Sequence, residues 1–353
     1  MTDYATFWWR HVPGPSRYLN DVVGAAFKHR VILVEQAPYF GEFAALVREH
    51  LRQWDSGLLV DDADGGCDPG DWIISRYARE AEYHPLDGTK AAFAAERKLL
   101  AGRVVMVHDV QHFPQWVPFA VEYARHSPSE NGLMMLTYRG GSPLSAPRKG
   151  VAVFQWSDYF TPYDMQWFAA YCLSEREESC AAVRDYRIQF ISRLAGGDPA
   201  LCAELSLGPM RGDPLARLNE LAAEHSDAAR LSRDRKRLDF LLWEAQLQVV
   251  FPLVERLRRR FIDAYRRELE GVLPKRDDFG VELKEPEDME IRHLWYYYFA
   301  GSGEGRMFHS REDEQAFRKL YFARNQLAHL KPLDHAAVME LLPLDEYVPE
   351  PQR

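Results

Sequence analysis

The stretch "RVILVEQAPYFGEFAALVREHLRQW" (residues 30–54) holds the pattern that decides the fold. Val31 to Val34 is an unbroken apolar run of strand length. Beyond Pro38, Phe43, Leu46, Val47, His50 and Leu51 recur at helical spacing. The unit reads as a strand followed by a helix. "RVVMVHDV" (103–110) offers a second buried strand, with "WVPFAVEYARH" as its helix. "GLMMLTYR" (132–139) is a third, and "GVAVFQWS" (150–157), leading into "YDMQWFAAYCL", a fourth. Strands alternating with helices predict a mainly parallel sheet with helices on its faces.

Near residue 195 the pattern changes. "AGGDPA" and "LGPMRGDP" (207–214) concentrate Gly, Pro and Asp, and nothing downstream reads as a buried strand. The boundary falls between about 190 and 215, which divides the chain into an α/β domain over 1–200 and an all-helical domain over 201–353. One long helical pattern runs from Arg237 to Pro274, with Pro252 marking either a kink or a helix start. "DMEIRHLWYYYFAG" and "EDEQAFRKLYFARNQLAHL" supply two more helices, and "LDHAAVMELL" closes the domain with Asp334 as its N-cap. No internal repeat or low-complexity segment interrupts this organisation.

With 353 residues, 46% of them hydrophobic, the chain can build two substantial cores. Its net charge of -9 argues against coating nucleic acid nonspecifically, because such binding runs on an excess of Lys and Arg over phosphate. Any contact with nucleic acid must be local. Four cysteines, Cys67, Cys172, Cys180 and Cys202, form no Cys-x-x-Cys pair and no zinc-ligand spacing. The N-terminus lacks the basic-then-apolar order of a signal peptide, and no apolar run reaches the roughly 18 residues that span a bilayer. A cytoplasmic protein with no membrane association is the expectation.

The strand order of the first half resembles that of P-loop ATPases of the AAA and STAND type. "VVMVHDV" is similar to their strand ending in an acidic residue that holds Mg²⁺ through water, here Asp109. "GLMMLTYR" is similar to the next strand with its polar sensor, here Thr137. The phosphate loop departs from the family. Gly-x-x-x-x-Gly-Lys-Ser/Thr cradles phosphates with backbone amides, a lysine and a hydroxyl. This chain reads "EQAPYFGEFAA", with Glu35 and Glu42 and no lysine, serine or threonine. The resemblance, over roughly 15–190, therefore implies a degenerate P-loop NTPase-like domain, STAND-like in order, without ATPase activity or a bound cofactor. Asp109 is expected to be a structural strand-end residue.

In the second half, "FARNQLAHLKPL" (322–333) carries Arg324, Asn325 and His329. Arg-x-x-x-x-His with a polar residue after the Arg resembles the signature of HEPN domains, all-helical modules of which many are metal-independent ribonucleases of prokaryotic defence and toxin systems. The trailing Pro-Leu and the long helix from Arg237 are similar to those of the family, so the resemblance spans roughly 215–345. It implies an endoribonuclease and a homodimer whose two helices share one cleft. It also allows a partner protein from the same operon.

The chemistry gives these residue types a use. RNA cleavage without a metal needs a proton-transfer group near neutrality and a fixed cation for charge gathering on the phosphoryl oxygens; histidine and arginine supply them. Asn325 and His329 are four apart and share a helix face, whereas Arg324 and His329 lie about 140° apart around an ideal helix. One helix alone does not make the site. Basic runs at 230–237 and 255–268 would line such a cleft, and Arg235, Lys236, Arg256, Arg259 and Arg260 are the candidate RNA contacts. The same runs also suit solvated helix faces. The alternative function is a non-catalytic HEPN adaptor that binds RNA or a protein partner in a larger antiviral defence complex.

Other clusters carry less. The aromatics of "YFTPYDMQWF" (159–168) fit core packing better than a ligand cage, and those of "LWYYYFAG" (294–301) fit packing inside the helical domain or at its dimer interface. His108, Asp109 and His112 are not expected to hold a metal, since His108 reads as part of a buried strand and His112 as part of a loop.

Overall fold

In a computed structural model of the chain, residues 3–78, 83–84, 88–128, 131–144, 146–174, 180–207, 214–296 and 308–350 are described. The chain divides into two compact units, Met1–Asp164 and Met165–Arg353.

The first unit is a parallel sheet with helices. β1 (Val31–Glu35) is followed by α3 (Phe40–Trp54), β3 (Arg103–Val107) by α6 (Trp116–His126), and β4 (Leu133–Tyr138) by β5 (Val151–Phe154). α1 (Tyr4–His11) and α2 (Pro13–Ala26) precede them. A fifth strand, β2 (Leu59–Ala63), was not legible in the sequence. The order is β2-β3-β4-β1-β5, all parallel, with Val31 opposite Met134 and Val104 opposite Leu133. β1 and β4 therefore lie inside the sheet, and their apolar runs are buried on both faces.

One sheet face presents Val31, Leu33, Val105, Val107, Met134 and Leu136 to Trp116 and Tyr123 of α6 and to α5 (Lys90–Glu96). On the opposite side α1, α2 and α3 gather Trp9 and Tyr18 around Phe43, at ring separations of 4.9 and 5.7 Å. Each such fully buried side chain contributes about 1.5–3 kcal/mol by leaving water. Gly132 is required where β4 begins: a Cβ there would sit 1.7 Å from the carbonyl oxygen of Leu100.

The second unit is helical. α12 (Arg235–Ala264) is its longest element, and Asp234 caps it by accepting from the amide of Arg237. Pro252 neither starts nor ends this helix. Its lost amide bond is outweighed by a continuous buried stripe, Leu238, Leu242, Ala245, Val250, Leu253, Leu257 and Phe261. α15 (Arg311–Ala328) runs antiparallel to α12: Trp243 reaches Leu327 at one end of the pair, and Tyr265 reaches Asp313 at the other. α16 (His335–Leu341) starts at Asp334, whose side chain accepts from Ala337 as expected.

Two features differ from the sequence reading. The division falls at Asp164, inside α7 (Pro162–Cys172), rather than near 200. α8 (Ala181–Ala195) and α9 (Pro199–Leu207) belong to the helical unit, α8 lying along α12. A small antiparallel hairpin, β6 (Lys275–Arg276) and β7 (Glu282–Leu283), interrupts the helices, exposed except at Leu283. In "DMEIRHLWYYYFAG" a helix forms as expected, α14 (Ile291–Leu294), and residues 297–301 lie outside the described ones. No helix among the described residues is long and apolar enough to cross a membrane.

Candidate functional site

The C-terminal end of α15 owes its shape to a left-handed residue. His329 is the C-cap, and Leu330 follows with φ 58°. The amide of Lys331 then bonds to the carbonyl of Gln326 at 3.0 Å and that of Leu330 to Leu327 at 3.2 Å, the two bonds of a Schellman motif. Glycine usually takes that position. A leucine there carries roughly 1–2 kcal/mol of backbone strain, and its side chain is 70% exposed.

This turn opens a groove of 210 Å³ lined by Tyr321, Phe322, Asn325, Gln326, His329 and Lys331. Asn325 and His329 share it, as their spacing requires. Arg324 does not line it. Its guanidinium points to Glu290, 3.5 Å away, and to the Asn325 carboxamide oxygen at 3.4 Å. The structure thus brings Asn325 and His329 to the groove within one chain and leaves Arg324 beside it, between Asn325 and Glu290. Lys331, passed over in the sequence, is the cation that reaches the groove from the same chain.

Two residues of α12 hold this end in place. The Trp243 indole donates to the carbonyl of Leu327 at 2.8 Å. The Gln246 carboxamide donates to the carbonyl of Leu333 at 2.9 Å and accepts from the amide of Leu333 at 2.7 Å.

The five candidate RNA contacts do not form one surface. Arg235 pairs with Asp239 at 2.8 Å, and Lys236 is exposed beside it. Both precede Trp243 by about two helical turns and so lie toward the His329 end of the helix pair. Arg256 and Arg260 lie about 20 Å and more from Trp243 along the same helix. Arg256 is paired with Asp345 at 2.8 Å, and Arg260 donates to the carbonyls of Asp345 and Tyr347. These two hold the chain near its C-terminus, and Arg259 is exposed and lines one groove with Arg256.

At the carboxyl ends of β1, β3 and β4 side chains bond to one another beside the stretch that follows β1. Gln36 donates to Asp109 and to Thr137, both at 3.0 Å, and accepts from Arg139 at 2.7 Å. Gln111 and Arg139 also reach the Asp109 carboxylate, each at 3.2 Å. Glu35 accepts from the amide of Trp156, and Tyr39, which caps α3, takes a left-handed φ of 54°. Gln36, Asp109, Thr137 and Arg139 are thus bonded to one another at this edge of the sheet.

His108 lies just past β3, half-exposed, 3.3 Å from Asp62, rather than inside the strand as expected. Among the described residues, no three His, Cys, Asp or Glu side chains gather as a metal site. In "YFTPYDMQWF" the buried Asp164 accepts from the amides of Gly14 and Thr161, a structural role, and Phe168 is core. Tyr163 and Trp167 are exposed, contrary to the core reading. Comparison with known proteins finds no matching family model and no matching curated protein.

Proposed function

We propose that the protein is a metal-independent endoribonuclease whose catalytic centre is the groove at the end of α15. The single observation that carries this reading is the joint exposure of Asn325 and His329 in that groove, with Lys331 beside them, on a turn held by α12. His329 takes the proton of an RNA 2′-hydroxyl as its oxygen attacks the adjacent phosphorus. The bond from phosphorus to the 5′-oxygen breaks, and that oxygen takes up a proton. Arg324 stabilises the phosphorane charge, and since it does not line the groove of its own chain, the arginine at each groove comes from a second copy in a homodimer. Asn325 orients the phosphate or the imidazole. The strand order β2-β3-β4-β1-β5 and the bonded side chains beside the stretch that follows β1 support a degenerate STAND-like module as scaffold or sensor. A cytoplasmic defence or toxin role, with a possible partner protein, rests on the resemblance to HEPN domains.

One observation favours the adaptor reading. Phe322 is exposed at the groove and Leu330 on the turn that follows His329, and the groove's accessible lining is largely apolar, as a protein-binding surface would be. Incubation of the purified protein with total RNA in EDTA, followed by analysis of product ends, separates the two. Cleavage products with 2′,3′-cyclic phosphates support the enzyme. Intact RNA supports the adaptor.

A further inference from the structure

Gln246 is a polar side chain on the buried stripe of the longest helix, 1% exposed. Leaving a carboxamide there without partners would cost about 1–3 kcal/mol. It instead pairs with both main-chain groups of Leu333, donating at 2.9 Å and accepting at 2.7 Å, as one strand residue pairs with another. Leu333 is four residues beyond His329, and between them lie the left-handed Leu330 and Pro332. The strain at Leu330 persists only if both ends of the turn are held. Trp243, three residues before Gln246 and so on the same face of α12, holds the helix end through Leu327. Gln246 holds the outgoing end.

We propose that Gln246 is the positioning residue of this site, fixing the turn from His329 to Leu333 so that the imidazole stays at the mouth of the groove. This rests on the ribonuclease reading for its catalytic consequence and on the geometry alone for its mechanical one. Of the groups packed against the carboxamide, Tyr186 of α8 is hydrogen-bonded to it, and burial pushes that phenol up to about 12, so it stays protonated at neutral pH. His335 of α16 lies 6.5 Å from the Tyr186 ring.

The test uses the full chain with Gln246→Met and Gln246→Glu. Hydrogen exchange at the amides of Lys331 and Leu333 should rise about tenfold or more in Gln246→Met, while Leu253 and Phe317 keep their protection. RNA cleavage should lose about tenfold or more in kcat with KM within about twofold, since displacing a reacting group affects the chemical step. A carboxylic acid reproduces both bonds only while protonated. The Gln246→Glu rate relative to wild type should therefore be near one in mild acid and fall as pH rises. That variant decides the matter if Gln246→Met does not fold.

Unchanged exchange at Lys331 and Leu333 overturns the proposal whatever happens to RNA, as does a Gln246→Glu rate ratio independent of pH. Raised exchange with an unaltered kcat overturns the positioning role. Raised exchange in a protein whose wild type leaves RNA intact upholds the clamp and overturns the ribonuclease reading instead.

Discussion

Arg324 reaches Glu290 at 3.5 Å, while His329, five residues on, opens into a groove that Arg324 does not line. Under the proposed ribonuclease reading, arginine and histidine meet across a homodimer. Arg324→Ala and His329→Ala should each be inactive alone. Mixed in equal amounts and allowed to exchange subunits, they should regain about a quarter of wild-type cleavage, because half the dimers carry one intact site of two. No return of activity, with exchange shown by sedimentation of tagged chains, contradicts the shared site.

Asp109 is held by Gln36, Gln111 and Arg139. Calorimetry with ATP and Mg²⁺ should show no binding, and Asp109→Ala should leave that result unchanged. A saturable micromolar isotherm abolished by Asp109→Ala would overturn the degenerate-module reading.

Leu330 sits at φ 58° on an exposed turn. Leu330→Gly removes the steric penalty at the cost of greater freedom in the unfolded chain, for a net gain of about 0.5–1 kcal/mol. Thermal melting should shift up by a few degrees. A lower Tm would show that the leucine side chain packs more than its exposure indicates.

His293, buried behind the hairpin near Asp277, has a pKa lowered from its ordinary value of 6.5 by burial and then by Arg292. The unfolded chain thus takes up the proton first. Stability is fully present above pH 6.5 and is lost progressively as pH falls through the unfolded and then the folded pKa. His293→Gln should flatten this part of the profile in denaturant titrations between about pH 7 and 5. An identical slope in both proteins assigns the acid sensitivity elsewhere.

How much was readable in advance follows from where the determinants lie. β1, β3 and β4 were legible because strands buried on both faces read as apolar runs. β2 was not, since "LVDDA" carries Asp61 and Asp62. Their charges are met by Arg103, Arg76 and Arg48, partners that only the folded sheet assembles. Pro252 left the continuity of α12 open because its cost is local and the compensating stripe is tertiary. The glycine- and proline-rich stretch near 207 misplaced the boundary, because α8 joins the helical unit through α12. At the site, the shared face of Asn325 and His329 followed from spacing. Lys331 and Gln246 did not, as one depends on a left-handed leucine and the other on the register of two antiparallel helices.

The most direct test of the account is cleavage of RNA by the wild-type protein and by His329→Ala, in EDTA, with the product ends identified. Wild type should yield 2′,3′-cyclic phosphate and 5′-hydroxyl ends. His329→Ala, folded and with the same oligomeric state, should be slower by about a hundredfold or more, as loss of an acid-base group requires. Cleavage that survives the His329 change, or wild-type protein that leaves RNA intact, would contradict it.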